Sequence, residues 1–167
     1  MSALTAPEPL AARHQLADSN CGVAALDDWL KRRALANQAS GASRTFVTCE
    51  ADIVVGYYAL ASSAVTTAVA PGRFRRNMPE PIPVAILARL AVDRAHQGRS
   101  LGRALFRDGA RRVLNAADAI GIRGILVHAV SEDAKAFYLA LGFEISPLEP
   151  MTLMVTLADV RRSIEAA

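Results

Sequence analysis

Residues 90–105 read LAVDRAHQGRSLGRAL, and the fold turns on how this stretch is read. The chain enters it from Val84–Val92, which is apolar nearly throughout except for Arg89. That is the pattern of a central strand covered on both faces. A turn follows at Gln97-Gly98-Arg99-Ser100-Leu101-Gly102. A helix is predicted from about Leu101 to Ile120, with Leu101, Leu105, Val113 and Leu114 at inner positions. The first turn of a helix offers N–H groups outside the helical ladder and the positive end of the dipole. Glycine there lets backbone approach a pyrophosphate, and Arg99 and Arg103 add cationic forks. The spacing matches neither the G-x-x-x-x-G-K-[ST] loop of nucleotide hydrolases nor the G-x-G-x-x-G of dinucleotide binders.

Working outward, the pattern alternates strands and helices. Asp18-Ser19-Asn20 is a cluster of capping residues ahead of an amphipathic helix from Val23 to Ala36. Leu26, Leu30 and Trp29 would face inward there, and Gln38–Gly41 would stop the helix. Thr45–Thr48 and Ile53–Ala61 read as strands joined by a hairpin at Glu50-Ala51-Asp52. Pro71 opens a loop carrying Arg73, Arg75 and Arg76. Ile122–Val130 is a further apolar strand, Ser131 caps a helix to Leu141, and Gly142 ends it. Met151–Leu157 is a last strand, with a short helix after it. Residues 1–12 form a lead-in strand or arm. The order predicts one mixed α/β domain over residues 1–167, with two β-to-α steps side by side.

Composition narrows the class. The chain has 167 residues, 52% of them hydrophobic, and 5% aromatic. Mean hydropathy is +0.22. Enough apolar surface exists to build a core, which excludes a disordered chain. No apolar run is long enough to span a membrane, and MSALTAPEPL lacks the basic-then-apolar order of a signal peptide, so a cytoplasmic protein is expected. Cys21 and Cys49 are too few for a disulfide scaffold or a cysteine-rich zinc site, and no metal is expected.

Charge is unevenly placed. Residues 73–112 hold ten arginines against three acids, a net of +7, whereas residues 1–72 carry −1 and residues 113–167 carry −3. A phosphate-bearing ligand would gather in the middle third. Arg89 stands out, because a cation in an apolar strand is costly unless it is paired or reaches a cleft. Of the histidines, His128 reads as a satisfied core residue, and His96, near the turn, would meet phosphate or solvent.

Gln97, Gly98, Arg99, Leu101 and Gly102 resemble the [Q/R]-x-x-G-x-[G/A] signature of the GCN5-related N-acetyltransferases (GNAT). Ser100 stands where glycine is usual, and a left-handed backbone there would be strained. Ser131–Tyr138, followed by Leu141-Gly142-Phe143, is similar to that family's second half. The resemblance covers residues 45–157. It implies a mostly antiparallel central sheet flanked by helices, and acetyl-CoA as co-substrate. It places the pyrophosphate on Gln97–Arg103, with Ser131 near the CoA arm and the pantetheine along the backbone of Leu90, Ala91 and Val92. It makes Tyr138 the acid that protonates the leaving thiolate; by itself Tyr138 would also read as an aromatic packed on Phe143.

The segments 87–93, 121–129, 151–157 and the lead-in DSNCGVAALDDWL resemble one branch, the toxins of toxin–antitoxin pairs that acetylate aminoacyl-tRNA. That branch implies an aminoacyl-tRNA substrate, blocked translation, a ribbon–helix–helix antitoxin that carries the complex to DNA, and often a homodimer. Arg73, Arg75, Arg76, Arg89, Lys31, Arg32 and Arg33 are then the candidate tRNA contacts; Lys31–Arg33 read equally as a solvated helix face. The other readings are a GNAT enzyme of a small amine or protein N-terminus, which would favour acids in the acceptor cleft, and a non-catalytic nucleic-acid-binding module.

Overall fold

A computed structural model describes residues 3–166. Among these residues, seven strands and six α-helices fall into two compact units: residues 3–61 with 88–109, and residues 62–87 with 110–166. The fold class is mixed α/β, with mostly antiparallel strand pairing, as the sequence predicts.

In the first unit the strand order is β1 (Glu8–Pro9), β2 (Arg44–Glu50), β3 (Ile53–Val65) and the end of β4 (Ile82–Val92). β2 and β3 form the expected hairpin. Ala51 and Asp52 both adopt left-handed φ, of 52° and 64°, as a tight turn between right-twisted strands requires. The predicted first helix is two: α1 (Ala24–Arg32) breaks at Arg33, and α2 (Ala34–Ser40) continues to Gly41, whose φ of 83° closes it. Gly41 alone is therefore the stop. The expected caps at 18–20 do not cap. Val23 precedes α1 with no side-chain bond, while Ser19 donates to the carbonyl of Val54 at 2.8 Å and the Asn20 side chain turns back on the N–H of Gly22. Leu26 and Leu30 pack with Val47, Cys49, Val54, Tyr57 and Ala91, and Trp29 lies partly buried against them. Cys49 is fully buried, and desolvation pushes its thiol up to about 11.

In the second unit β4 pairs in parallel with β5 (Gly124–His128), which pairs antiparallel with β7 (Thr152–Thr156), with β6 (Glu144–Ile145) beyond it. The stretch after Pro71, expected as a loop, holds a one-turn helix, α3 (Gly72–Arg75). Phe74 anchors it, 1% exposed, in a core with Ala70, Ile82, Val84, Leu126 and Met154. The glycine at 124 is required by space. A Cβ there would lie 2.1 Å from the carbonyl oxygen of Val155 and 2.5 Å from the Phe74 ring. α5 (Glu132–Ala140) and α6 (Leu157–Ala166) complete this unit, and α4 (Leu101–Ala116) belongs in part to each. Among the described residues, no helix is long and apolar enough to cross a membrane.

Candidate active site

The turn at 97–100 is built by long-range tethers. Gln97 donates its side-chain amide to the carbonyls of Cys21 and Val92, each at 2.9 Å. Asp93 accepts from the N–H of Asn20 and of Ala95, closing a 3₁₀ turn over Arg94–His96. Gly98 takes φ 78° with open space where a Cβ would lie, so glycine is needed for conformation alone. Ser100 takes φ 63°, which is the strain expected of a serine at that place. The helical ladder of α4 opens with Ala104 N–H to Ser100 carbonyl at 3.1 Å. The N–H groups ahead of that bond lie outside the ladder, at the positive end of the helix. Arg99, Ser100 and Arg103 are exposed and Leu101 and Gly102 half-buried. The arrangement suits an anion bound by backbone N–H groups with mobile guanidiniums around it. Gln97 serves that shape from behind, its amide being engaged by protein carbonyls.

Along β4, Ala91 is buried and Leu90 and Val92 are half-buried. His96 does not face outward as expected. Its side chain is 12% exposed, with ring nitrogens 3.7 Å from the carboxylates of Glu50 and Asp93. His128 departs from its reading too: it is exposed at the end of β5, with Nδ1 3.0 Å from the Thr152 hydroxyl. Its strand is buried only as far as Val127.

In the second unit Ser131 caps α5 as predicted, its hydroxyl accepting from the N–H of Ala134 at 3.1 Å. Gly142 ends the helix at φ 100°. Tyr138 is 7% exposed. The rings of Phe137 and Phe143 meet it edge-on at 5.2 and 5.3 Å. Desolvation pushes its phenol up to about 12, so it stays protonated and can donate at neutral pH.

The arginines differ in how they are engaged. Arg73 pairs with Asp159 at 2.8 Å, and Arg162 shares that carboxylate. Arg75 and Arg76, beside it, are exposed, and their side chains have no hydrogen bond or ion pair among the described residues. Arg123, which sequence reasoning did not single out, holds α3 by donating to the carbonyls of Phe74 and Arg73 at 2.8 and 2.9 Å. Nothing local in the sequence marks that role. Lys31, Arg32 and Arg33 are exposed at the end of α1. Arg89 is half-buried and stacks on Trp29.

One cluster has donor atoms of the kinds that bind metals. Glu8, His14 and Cys49 each place one within 4.8 Å of the others. His14 Nδ1 accepts from the N–H of Ala11, which leaves the proton on Nε2, 2.9 Å from Glu8. Arg13 sits on the same carboxylate at 2.9 Å, and these bonds hold Glu8 below the usual carboxylate range. Glu8 is thus held between an exposed Arg13 and a buried His14.

Residues 41–145 match the family described as acetyltransferase (GNAT) domain. The chain belongs to the GNAT acetyltransferases. Over 164 residues it is 52% identical to the tRNA-acetylating toxin of Mycobacterium tuberculosis, covering 98% of this chain and 99% of that protein. Among solved structures it is similar to AtaT complexed with acetyl-methionyl-tRNAfMet, with TM-score 0.88 and 29% identity over 96% of this chain and 98% of that one. A tyrosine-to-phenylalanine variant of AtaT, bound to the C-terminus of the antitoxin AtaR and acetyl-CoA, gives TM-score 0.82 and 28% identity over 96% and 97%.

Proposed function

We propose that this GNAT enzyme transfers the acetyl group of acetyl-CoA to the α-amino group of an aminoacyl-tRNA and so withdraws the charged tRNA from translation. The observation that carries the reading is 52% identity, end to end, with a tRNA-acetylating toxin. The turn at 97–100 and the ten arginines of residues 73–112 agree with it.

The residues divide the work as follows. Backbone N–H groups of Gly98–Gly102, with Arg99 and Arg103, take the pyrophosphate, and Gln97 holds their shape. Leu90, Ala91 and Val92 pair through backbone with the pantetheine and polarise the thioester carbonyl. Ser131 fixes the start of α5 near the CoA arm. The amine nitrogen attacks the carbonyl carbon and the C–S bond breaks. Tyr138, kept protonated by burial, gives its proton to the leaving thiolate, and the proton shed by the acylated nitrogen passes through water to restore the phenol. An α-amino group has a pKa of about 7.7–8.0, so a fair share attacks neutral without a dedicated base. Arg75 and Arg76, then Arg73, Arg89 and Lys31–Arg33, take tRNA phosphates. Residues 1–167 act as one functional domain in the cytoplasm. A ribbon–helix–helix antitoxin and a second copy of the chain are the protein partners.

The test uses labelled acetyl-CoA with a pool of charged and uncharged tRNA. Label is expected on charged tRNA alone. Tyr138→Phe should keep acetyl-CoA binding and lose roughly 100-fold in turnover, the usual worth of a positioned acid. Label on small amines or protein N-termini instead would move the enzyme to another branch of the family, and unchanged turnover in Tyr138→Phe would remove the acid role.

A further inference from the structure

Arg89 has more donors than the protein uses. A guanidinium carries five N–H groups. The only hydrogen bond of this one, among the described residues, runs from Nη1 to the carbonyl of Ala88 at 3.0 Å. No carboxylate pairs with it among those residues. Yet it is half-buried, in a strand otherwise apolar from Val84 to Val92. A desolvated cation left in that state favours an anion from outside.

Its orientation is set in advance. The guanidinium carbon lies 4.8 Å from the centre of the Trp29 ring on α1. Trp29 in turn stacks on Tyr57 of β3, with centroids 6.1 Å apart and planes 11° from parallel. Tyr57 is 2% exposed and its hydroxyl donates to the carbonyl of Leu26 at 2.6 Å, tying the platform back to α1. Three elements thus hold one planar fork. A guanidinium held this way loses less freedom on gripping a phosphate than an exposed arginine would.

Position along β4 identifies the anion. The chain runs from Arg89 through Leu90–Val92 toward the turn at 97. Arg89 is set back from Val92 by three residues of extended strand, about 10 Å. Its backbone lies on the side of Val92 away from the turn that would take the CoA phosphates. We propose that Trp29 and Arg89 form a clamp for the phosphodiester next to the aminoacylated 3′ end of the tRNA, with Arg89 as the contact and Trp29 as the positioning residue. This rests on the aminoacyl-tRNA reading above and names which part of the RNA the acceptor side grips.

Two acceptors separate the effects: an aminoacylated CCA trinucleotide, which has phosphodiesters, and the methyl ester of the same amino acid, which has none. The readout is the ratio of kcat/KM for the two, with acetyl-CoA affinity measured on each variant to report a folded enzyme. In Arg89→Gln the ratio should fall about tenfold or more, the worth of a hydrogen bond to a charged group. Trp29→Leu should lower it in the same direction, Trp29→Phe should restore most of it, and Trp29→Leu with Arg89→Gln should be no worse than Arg89→Gln alone. An unchanged ratio in Arg89→Gln overturns the clamp while leaving tRNA acetylation standing. A loss shared equally by both acceptors also overturns it, since that is a structural defect. If the wild-type enzyme acetylates no charged tRNA, the reading beneath the proposal fails and the clamp with it.

Discussion

The Gln97–Ser100 turn and the α3 helix are both short, both cationic and both tied to the chain around them by a side-chain donor on two backbone carbonyls, the turn's own Gln97 in one case and Arg123 from outside in the other. Gln97 reaches the carbonyls of Cys21 and Val92, and Arg123 reaches those of Arg73 and Phe74. What each support leaves available differs. At the turn it stabilises a backbone with two left-handed residues, Gly98 and Ser100, and presents N–H groups. At α3 it occupies two carbonyls and leaves only side chains outward, Arg75 and Arg76, with Arg73 drawn to Asp159. On the proposed function, the first region would recognise an anion by shape and the second by charge. Shape recognition tolerates salt, whereas charge recognition weakens with it.

This contrast can be broken or sharpened. The largest effect is expected from Gly124→Ala, which drives a methyl into the Phe74 ring and the Val155 carbonyl beneath α3. It should cost about 3 kcal/mol of stability by chemical denaturation, at the upper end for overpacking. Next, Arg99→Glu sets a carboxylate beside the proposed pyrophosphate site and should raise the Kd for CoA by more than about tenfold, or 1.4 kcal/mol, by calorimetry. The paired change Arg75→Glu and Arg76→Glu should instead raise KM for charged tRNA about tenfold at low salt. It should also flatten the salt slope of tRNA binding by about two, one per lost phosphate contact. Equal salt slopes would put the RNA surface elsewhere. The smallest effect belongs to Ser100→Gly, which relieves left-handed strain against the entropy of an added glycine. Thermal unfolding should show a gain below about 1 kcal/mol.

Much of the turn side was legible from local sequence. An apolar strand, a glycine and an amphipathic helix in immediate succession place Gln97–Gly102 without help from the rest of the chain. The strain at Ser100 was legible only through the family resemblance, which puts glycine at that place. What holds the turn was not legible, because Gln97 and its partner Cys21 lie 76 residues apart. The same distance effect hid the pairing of Arg73 with Asp159, 86 residues away, and the grip of Arg123 on α3. Short elements failed for another reason. α3 is one turn held by Phe74 in the core, and β6 is two residues paired with β7, so neither carries enough periodicity to be read. Asp18-Ser19-Asn20 misled because capping residues also bond backbone in turns, and here Ser19 bonds Val54 instead. His96 shows the limit for the site: proximity in sequence to the turn suggested a phosphate, but the fold sets it between Glu50 and Asp93.

The buried thiol of Cys49, protonated at any physiological pH, bears on the order of events in catalysis. Cys21 is half-buried, and desolvation raises it as well. Burial thus disfavours the thiolate at both positions. On the proposed function the acyl group would then pass straight from donor to acceptor, with both substrates held on the protein at once.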